Sequence, residues 1–116
     1  MSVMKSDDVA PEAVRAGRGT IRRVLIGHEE APNFAMRKFS MEAGGGMPRH
    51  TNSVEHEQYV VRGSARIGIG DEEFEVSEGD VVFIPAGVPH WYEAAEDGFE
   101  FLCIVPNLPD EIKLEP

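Results

Sequence analysis

At 116 residues and 41% hydrophobic, the chain has the length and apolar content of one domain, enough for a buried core and too short for two. The net charge of −10 is uneven: residues 1 to 49 carry eight Lys/Arg against six Asp/Glu, and residues 50 to 116 carry three against fifteen, a balance that would repel a phosphate backbone and argues against nucleic acid as a partner. No run nears the roughly 20 apolar residues that cross a bilayer, the stretch Met1 to Asp8 lacks the apolar centre of a secretory signal, and the single Cys103 permits no internal disulfide, so the chain reads as cytoplasmic with no membrane partner.

Residues 1 to 19 are polar and small, and Pro11, Gly17 and Gly19 discourage a long helix, which predicts an N-terminal arm. From Thr20 short apolar segments recur between turn signals, the rhythm of an all-β sandwich or barrel over residues 20 to 106. Strands are predicted near 21–26, 34–41, 48–52, 56–62, 64–69, 73–76, 80–84, 89–94 and 99–105. The turns between them fall at Gly44-Gly45-Gly46, Arg62-Gly63, Gly70-Asp71, Glu78-Gly79 and Asp97-Gly98. Residues 107 to 116, with prolines and acids, predict an extended, partly mobile C-terminal tail. The acids at Asp71-Glu72-Glu73 and Glu96-Asp97 read as solvated surface.

Two segments carry the chemistry: Gly44-x5-His50-x-Asn52-x3-His56-x6-Gly63, and Gly79-x5-Pro85-x-Gly87-x2-His90. Residues two and six apart on a strand share a face, so His50, Asn52 and His56 should point one way. His90 follows Pro85-Ala86-Gly87-Val88-Pro89, where two prolines fix φ and a glycine permits a bend, so the turn aims its ring. Three neutral imidazoles with open positions suit a divalent ion that also binds water, oxygen or substrate. His28, in the turn Gly27-His28-Glu29-Glu30, reads as a surface residue outside the site.

Both segments resemble the two signature motifs of the cupin family, and the fifteen residues from Ser64 to Glu78 match the short spacing between the motifs in its small members. The resemblance covers about residues 20 to 106. It is strongest to single-domain cupins whose metal is held by four histidines, with Val24-Leu25-Ile26-Gly27 as the opening and Phe101-Leu102-Cys103 as the close. It implies a double-stranded β-helix (jelly-roll) barrel with a metal inside, a fold that hosts dioxygenases, isomerases, epimerases, decarboxylases and proteins that only bind, so the fold alone names no reaction. The sequence departs from the pattern in two places that bear on the site. Asn52 stands where the family has its second histidine, and His56 stands where it has its usual glutamate. Ala94 also replaces a frequent asparagine. The metal ligands are therefore read as His50, His56 and His90, with Asn52 ligating weakly or holding a water. A competing alignment makes Glu57 the ligand, but strand parity points Glu57 away unless a bulge lies between residues 53 and 55.

Alternation predicts the rest of the pocket. Glu96 and Glu100 are even-numbered, so Phe99, Phe101, Cys103 and Val105 should face inward; Lys38 and Ser40 are polar and even, which sends Arg37, Phe39 and Met41 inward. Arg37 would clamp a carboxylate or pair with an internal acid, or else twist to the rim. Tyr92 shares the face of His90, as a hydrogen-bond donor or as packing. Pocket walls are assigned to Phe39, Met47, Tyr92, Phe101 and Cys103, with Arg37 and Tyr92 the candidates for a catalytic part. Cys103 reads first as a small buried hydrophobe.

Two function classes follow. The first is an enzyme, of oxygenase type as the leading reading, that uses one divalent ion (Mn or Fe first, then Zn, Ni or Cu) on a small molecule bearing a carboxylate. The second is a non-catalytic barrel that binds or senses a small ligand. No residue is an obvious general base. Ile21, Val24, Leu25 and Ile26 form an apolar edge strand that predicts a homodimer.

Overall fold

Period-two alternation punctuated by glycine becomes a single antiparallel sheet in the computed structural model, which describes residues 3–115; residues 1, 2 and 116, the outermost of the arm and the tail, lie outside the described residues. The strands are β1 (Glu12–Ala13), β2 (Arg18–Ile26), β3 (Phe34–Asn52), β4 (His56–Ile69), β5 (Glu72–Ser77), β6 (Val81–Ile84), β7 (His90–Pro106) and β8 (Ile112–Leu114). They are ordered β1-β2-β3-β7-β4-β5, with β6 also on β4 and β8 also on β3. β7 runs between β3 and β4, and its inward residues Phe99, Phe101, Cys103 and Val105 join Val60 and Ile67 in the core. The result is the expected all-β jelly-roll, a double-stranded β-helix in one domain. No helix among the described residues is long and apolar enough to cross a membrane.

Three pairs of expected strands are single long strands: 34–41 with 48–52, 56–62 with 64–69, and 89–94 with 99–105. The glycines between them act as bulges instead of hairpin turns. Register shifts fall between Met41 and Gly46 on β3 and between Gly63 and Ala65 on β4, so the chain bends without leaving the ladder. A bulge and a turn place the same demand on a glycine, and single-sequence alternation cannot separate them.

Both ends are tied to the sheet. In the N-terminal arm a 3-10 turn spans Ser6–Asp8, β1 pairs with β2 at Arg22 and Ile21, and β2 begins at Arg18, inside the expected arm. Lys38, expected on the solvent face, is 8% exposed because the arm covers it: its Nζ donates to Ser6 Oγ at 2.8 Å and pairs with Asp7 at 3.3 Å. The C-terminal segment, expected to be an extended tail, adds β8 against His50–Asn52. It therefore lies across the strand end that carries two of the candidate ligands.

Candidate metal centre

His50 and His90 are directly paired residues of β3 and β7, with ring centroids 4.1 Å apart, and His56 heads β4 with its ring 6.2 Å from His90. The second motif is bound to the first through the backbone, since Gly87 N–H in the Pro85–Pro89 turn donates to the Asn52 carbonyl at 2.8 Å. His50, Asn52, His56 and His90 are 3%, 5%, 6% and 1% exposed, so any polar atom they leave unpaired is also cut off from bulk water. Glu57 is exposed, on the opposite face from His56. His28 is exposed in its turn.

The ring nitrogens are oriented by the backbone. His50 Nδ1 lies 2.7 Å from the Pro48 carbonyl and His90 Nδ1 lies 3.0 Å from that of Val88. A carbonyl only accepts, so each Nδ1 carries the proton and each Nε2 presents a lone pair, the arrangement that prepares an imidazole to bind a metal. His56 Nδ1 sits 3.4 Å from Cys103 Sγ. Among the described residues His56 Nε2, His90 Nε2 and Asn52 Oδ1 are buried without a hydrogen-bond partner. A buried, unpaired polar atom costs about 1–3 kcal/mol, so three together call for a ligand that satisfies them. A divalent cation fits this donor set. As they stand, no three or more His, Cys, Asp or Glu side chains among the described residues are arranged to hold one.

Burial is the main cause of depressed basicity here. It pushes His90 down to about 4, with the nearby His50 adding to the effect, and pushes His56 down to about 4, with the Arg37 charge adding to it; His50 is lowered too. In metal-free protein these rings stay neutral at pH values where an unfolded histidine, near 6.5, already takes up a proton. The contribution of His56 and His90 to stability is therefore complete above about pH 6.5 and is lost as pH falls toward 4, by about 3 kcal/mol per ring. Urea unfolding in chelator should show this loss between pH 6.5 and 4.5, and a His90→Gln variant should show less of it. An equal loss in both proteins would contradict the assignment.

Behind the imidazoles stands an aromatic wall, with Tyr92 stacked on Phe101 at 5.2 Å and Phe101 on Phe39 at 5.1 Å. Arg37 faces inward over the Phe39 ring at 5.2 Å, and its Nη2 donates to Cys103 Sγ at 3.3 Å. Met47 completes this lining. Every residue assigned to the pocket except Cys103 lines one cavity of about 40 Å³ with the histidines; Cys103 sits just behind it, touching both Arg37 and His56. The space has room for an ion and about one water rather than a large organic molecule.

Two residues were not anticipated. Gln58 shares the parity of His56, so alternation alone could have found it; its Nε2 donates to Tyr92 Oη at 2.7 Å, and its Oε1 is buried and unpartnered. Asp110 lies beyond the barrel, where no spacing rule reaches. Its Oδ2 accepts from Asn52 Nδ2 at 3.1 Å and lies 3.6 Å from His56 Nε2.

Among protein-family profiles, that of the Cupin domain matches residues 37–105. The chain is 34% identical over 90 residues to oxalate decarboxylase OxdC of Bacillus subtilis, covering 73% of this chain and 22% of that one. It is 35% identical over 69 residues to acireductone dioxygenase 1 of Pectobacterium atrosepticum, covering 56% and 39%. It thus spans about a fifth and two fifths of these curated relatives. The solved structure of the polyketide cyclase RemF from Streptomyces resistomycificus superposes with a TM-score of 0.90 at 30% identity, over 98% of this chain and 84% of that one. Mn(II) centres are described for the Bacillus subtilis oxalate decarboxylase, whose solved structures cover 89% of this chain at a TM-score of 0.75.

Proposed function

The chain belongs to the cupin domain family, and from that premise we propose that it is a metal-dependent enzyme whose Mn or Fe ion is held by His50, His56 and His90 and whose substrate is a small anionic molecule, transformed in an oxygenase-type reaction. The carrying observation is the set of orphaned buried atoms on His56, His90 and Asn52, which have no reason to be desolvated together unless a ligand satisfies them. When bound, such an ion would supply Lewis acidity and a site for oxygen.

The surrounding side chains would bind and orient the substrate. Arg37 keeps a positive charge in the cavity wall, and its Nε–H is buried and unpaired, so it offers a donor to a carboxylate or enolate oxygen. Burial pushes the Tyr92 phenol well above its ordinary value, so it stays protonated; because its oxygen accepts from Gln58, its own proton remains available to a second substrate oxygen. Gln58 Oε1 supplies an acceptor for a hydroxyl. The Phe39–Phe101–Tyr92 wall limits water entry.

A second reading, non-oxidative Lewis-acid catalysis, is favoured by the polyketide cyclase, a relative matched over most of its length. The test is elemental analysis of protein purified without tag or chelator, followed by substrate screening with and without oxygen. Near-stoichiometric Mn or Fe with metal-dependent oxygen uptake supports the oxygenase; anaerobic turnover supports the second reading; thermal shifts by ligands without turnover would make the barrel a binding module. No metal after reconstitution would sink the proposal.

The Arg37 assignment is checked separately. Arg37→Met should weaken binding of oxalate, used as a carboxylate probe, by roughly 10- to 100-fold, the worth of one charge-assisted hydrogen bond, while metal content stays unchanged. We also propose self-association through the β2 edge, where Val24 and Ile26 remain 37% and 38% exposed beyond the two residues that β1 covers. A monomer by sedimentation at high concentration would remove that idea.

A further inference from the structure

We infer that Asp110, carried onto the cavity by the C-terminal segment, is the carboxylate ligand of the metal centre and makes up for the imidazole that Asn52 lacks. The inference rests on the metal-centre reading above and adds to it a residue outside both motifs.

Asp110 is placed by a strap with several anchors. β8 pairs Leu114 with His50, Lys113 with Thr51 and Ile112 with Asn52, and Glu115 N–H donates to the Arg49 carbonyl at 2.9 Å. At the turn into β8, Ser53 N–H donates to Asp110 Oδ1 at 3.0 Å and Glu111 N–H donates to Ser53 Oγ at 2.8 Å. One carboxylate oxygen is thus held by the backbone. The other, Oδ2, stands beside the orphaned Nε2 of His56 at 3.6 Å. Two donors that share one ion at bond lengths of about 2.0–2.2 Å lie about 3.0–3.4 Å apart, so this pair needs only a small movement to become neighbouring ligands.

Charge points the same way. Three neutral imidazoles next to the Arg37 guanidinium would present a divalent cation with a net positive surrounding. Among the described residues, Asp110 alone of the acids sets its carboxylate against the candidate ligands, and it supplies the missing anion. Asn52 then acquires a definite part as a positioning residue. Its Nδ2 donates to Asp110 Oδ2 at 3.1 Å and steers the carboxylate, much as outer-shell partners orient ligands in other metal sites.

The test is calorimetric titration of Mn(II) into metal-free wild type, Asp110→Asn, Asp110→Glu and His90→Ala. Asparagine keeps an oxygen for the Ser53 N–H and removes the charge. Asp110→Asn should therefore melt like wild type without metal, yet bind Mn(II) at least about 10- to 100-fold more weakly, with a smaller metal-induced rise in melting temperature. Asp110→Glu, which keeps the charge, should recover part of the affinity. The visible spectrum of the Co(II)-loaded protein should also change in Asp110→Asn, which a strap that only anchors the chain would leave alone. Equal Mn(II) affinity in wild type and Asp110→Asn, with His90→Ala unable to bind, would overturn the role of Asp110 and leave the histidine centre standing. Failure of wild type itself to bind Mn(II) would overturn both.

Discussion

Replacing His90 with alanine should strip the proposed centre of its ion, lowering metal affinity by about a hundredfold or more and the metal content of purified protein from near one per chain to a small fraction. Structural metal sites with four ligands gain roughly 10–16 kcal/mol in all, so one ligand is worth on the order of 3 kcal/mol. Of the proposed ligands, His90 has the least freedom to be replaced. It is 1% exposed, paired in register with His50 on one side and Ile69 on the other, with Nδ1 held by Val88 and Nε2 unsatisfied. The metal-free variant should remain folded. The cavity left by the ring is offset by removal of a desolvated polar atom, so the net cost should stay near 1–2 kcal/mol. Elemental analysis beside urea unfolding in chelator reads both quantities. Retention of a full metal complement by a folded His90→Ala protein would place the ion elsewhere.

The second large effect belongs to the fold. Gly63→Ala should destabilise the domain by about 2–5 kcal/mol, because two costs fall on one residue. Gly63 has φ +78°, in the left-handed region where a Cβ alone costs about 1–2 kcal/mol, and that Cβ would be driven into the backbone carbonyl of Gly98 on β7, an overpacking cost of about 1–3 kcal/mol. Gly44→Ala is the matched control. Gly44 has φ +74° with nothing within 4 Å of an added Cβ, so only the dihedral cost applies and the loss should stay near 1–2 kcal/mol. Urea unfolding of both variants separates the contributions; equal losses would show that the β4–β7 approach at Gly63 relaxes freely.

These two residues also mark what was legible. Gly63 and His90 both stand in the motif pattern, and both occupy positions where the backbone leaves little choice. The alternation that sends Phe99, Phe101, Cys103 and Val105 into the core was readable because β7 is apolar on one face along its length. The fusion of three strand pairs was not, because a glycine at a bulge and a glycine at a turn look the same in sequence. Lys38 was misplaced for a related reason. Its parity was read correctly as the outer face, but that face is covered by an arm whose path depends on Ser6 and Asp7 finding the ammonium group.

The sequence by itself determined an all-β sandwich or barrel, the inward parity within its strands and the shared face of His50 and Asn52, since these follow from a local period of two and from turn residues with fixed dihedral demands; His56 stands on a separate strand, β4, beyond the bend at residues 53–54. Only the tertiary structure decided how those groups are completed. The packing of His50 against His90, the contacts of Cys103 with Arg37 and His56, and the arrival of Asp110 beside Asn52 each join residues far apart in the chain. Such contacts arise from sheet closure and from the docking of a terminal strand, and no short-range pattern encodes them.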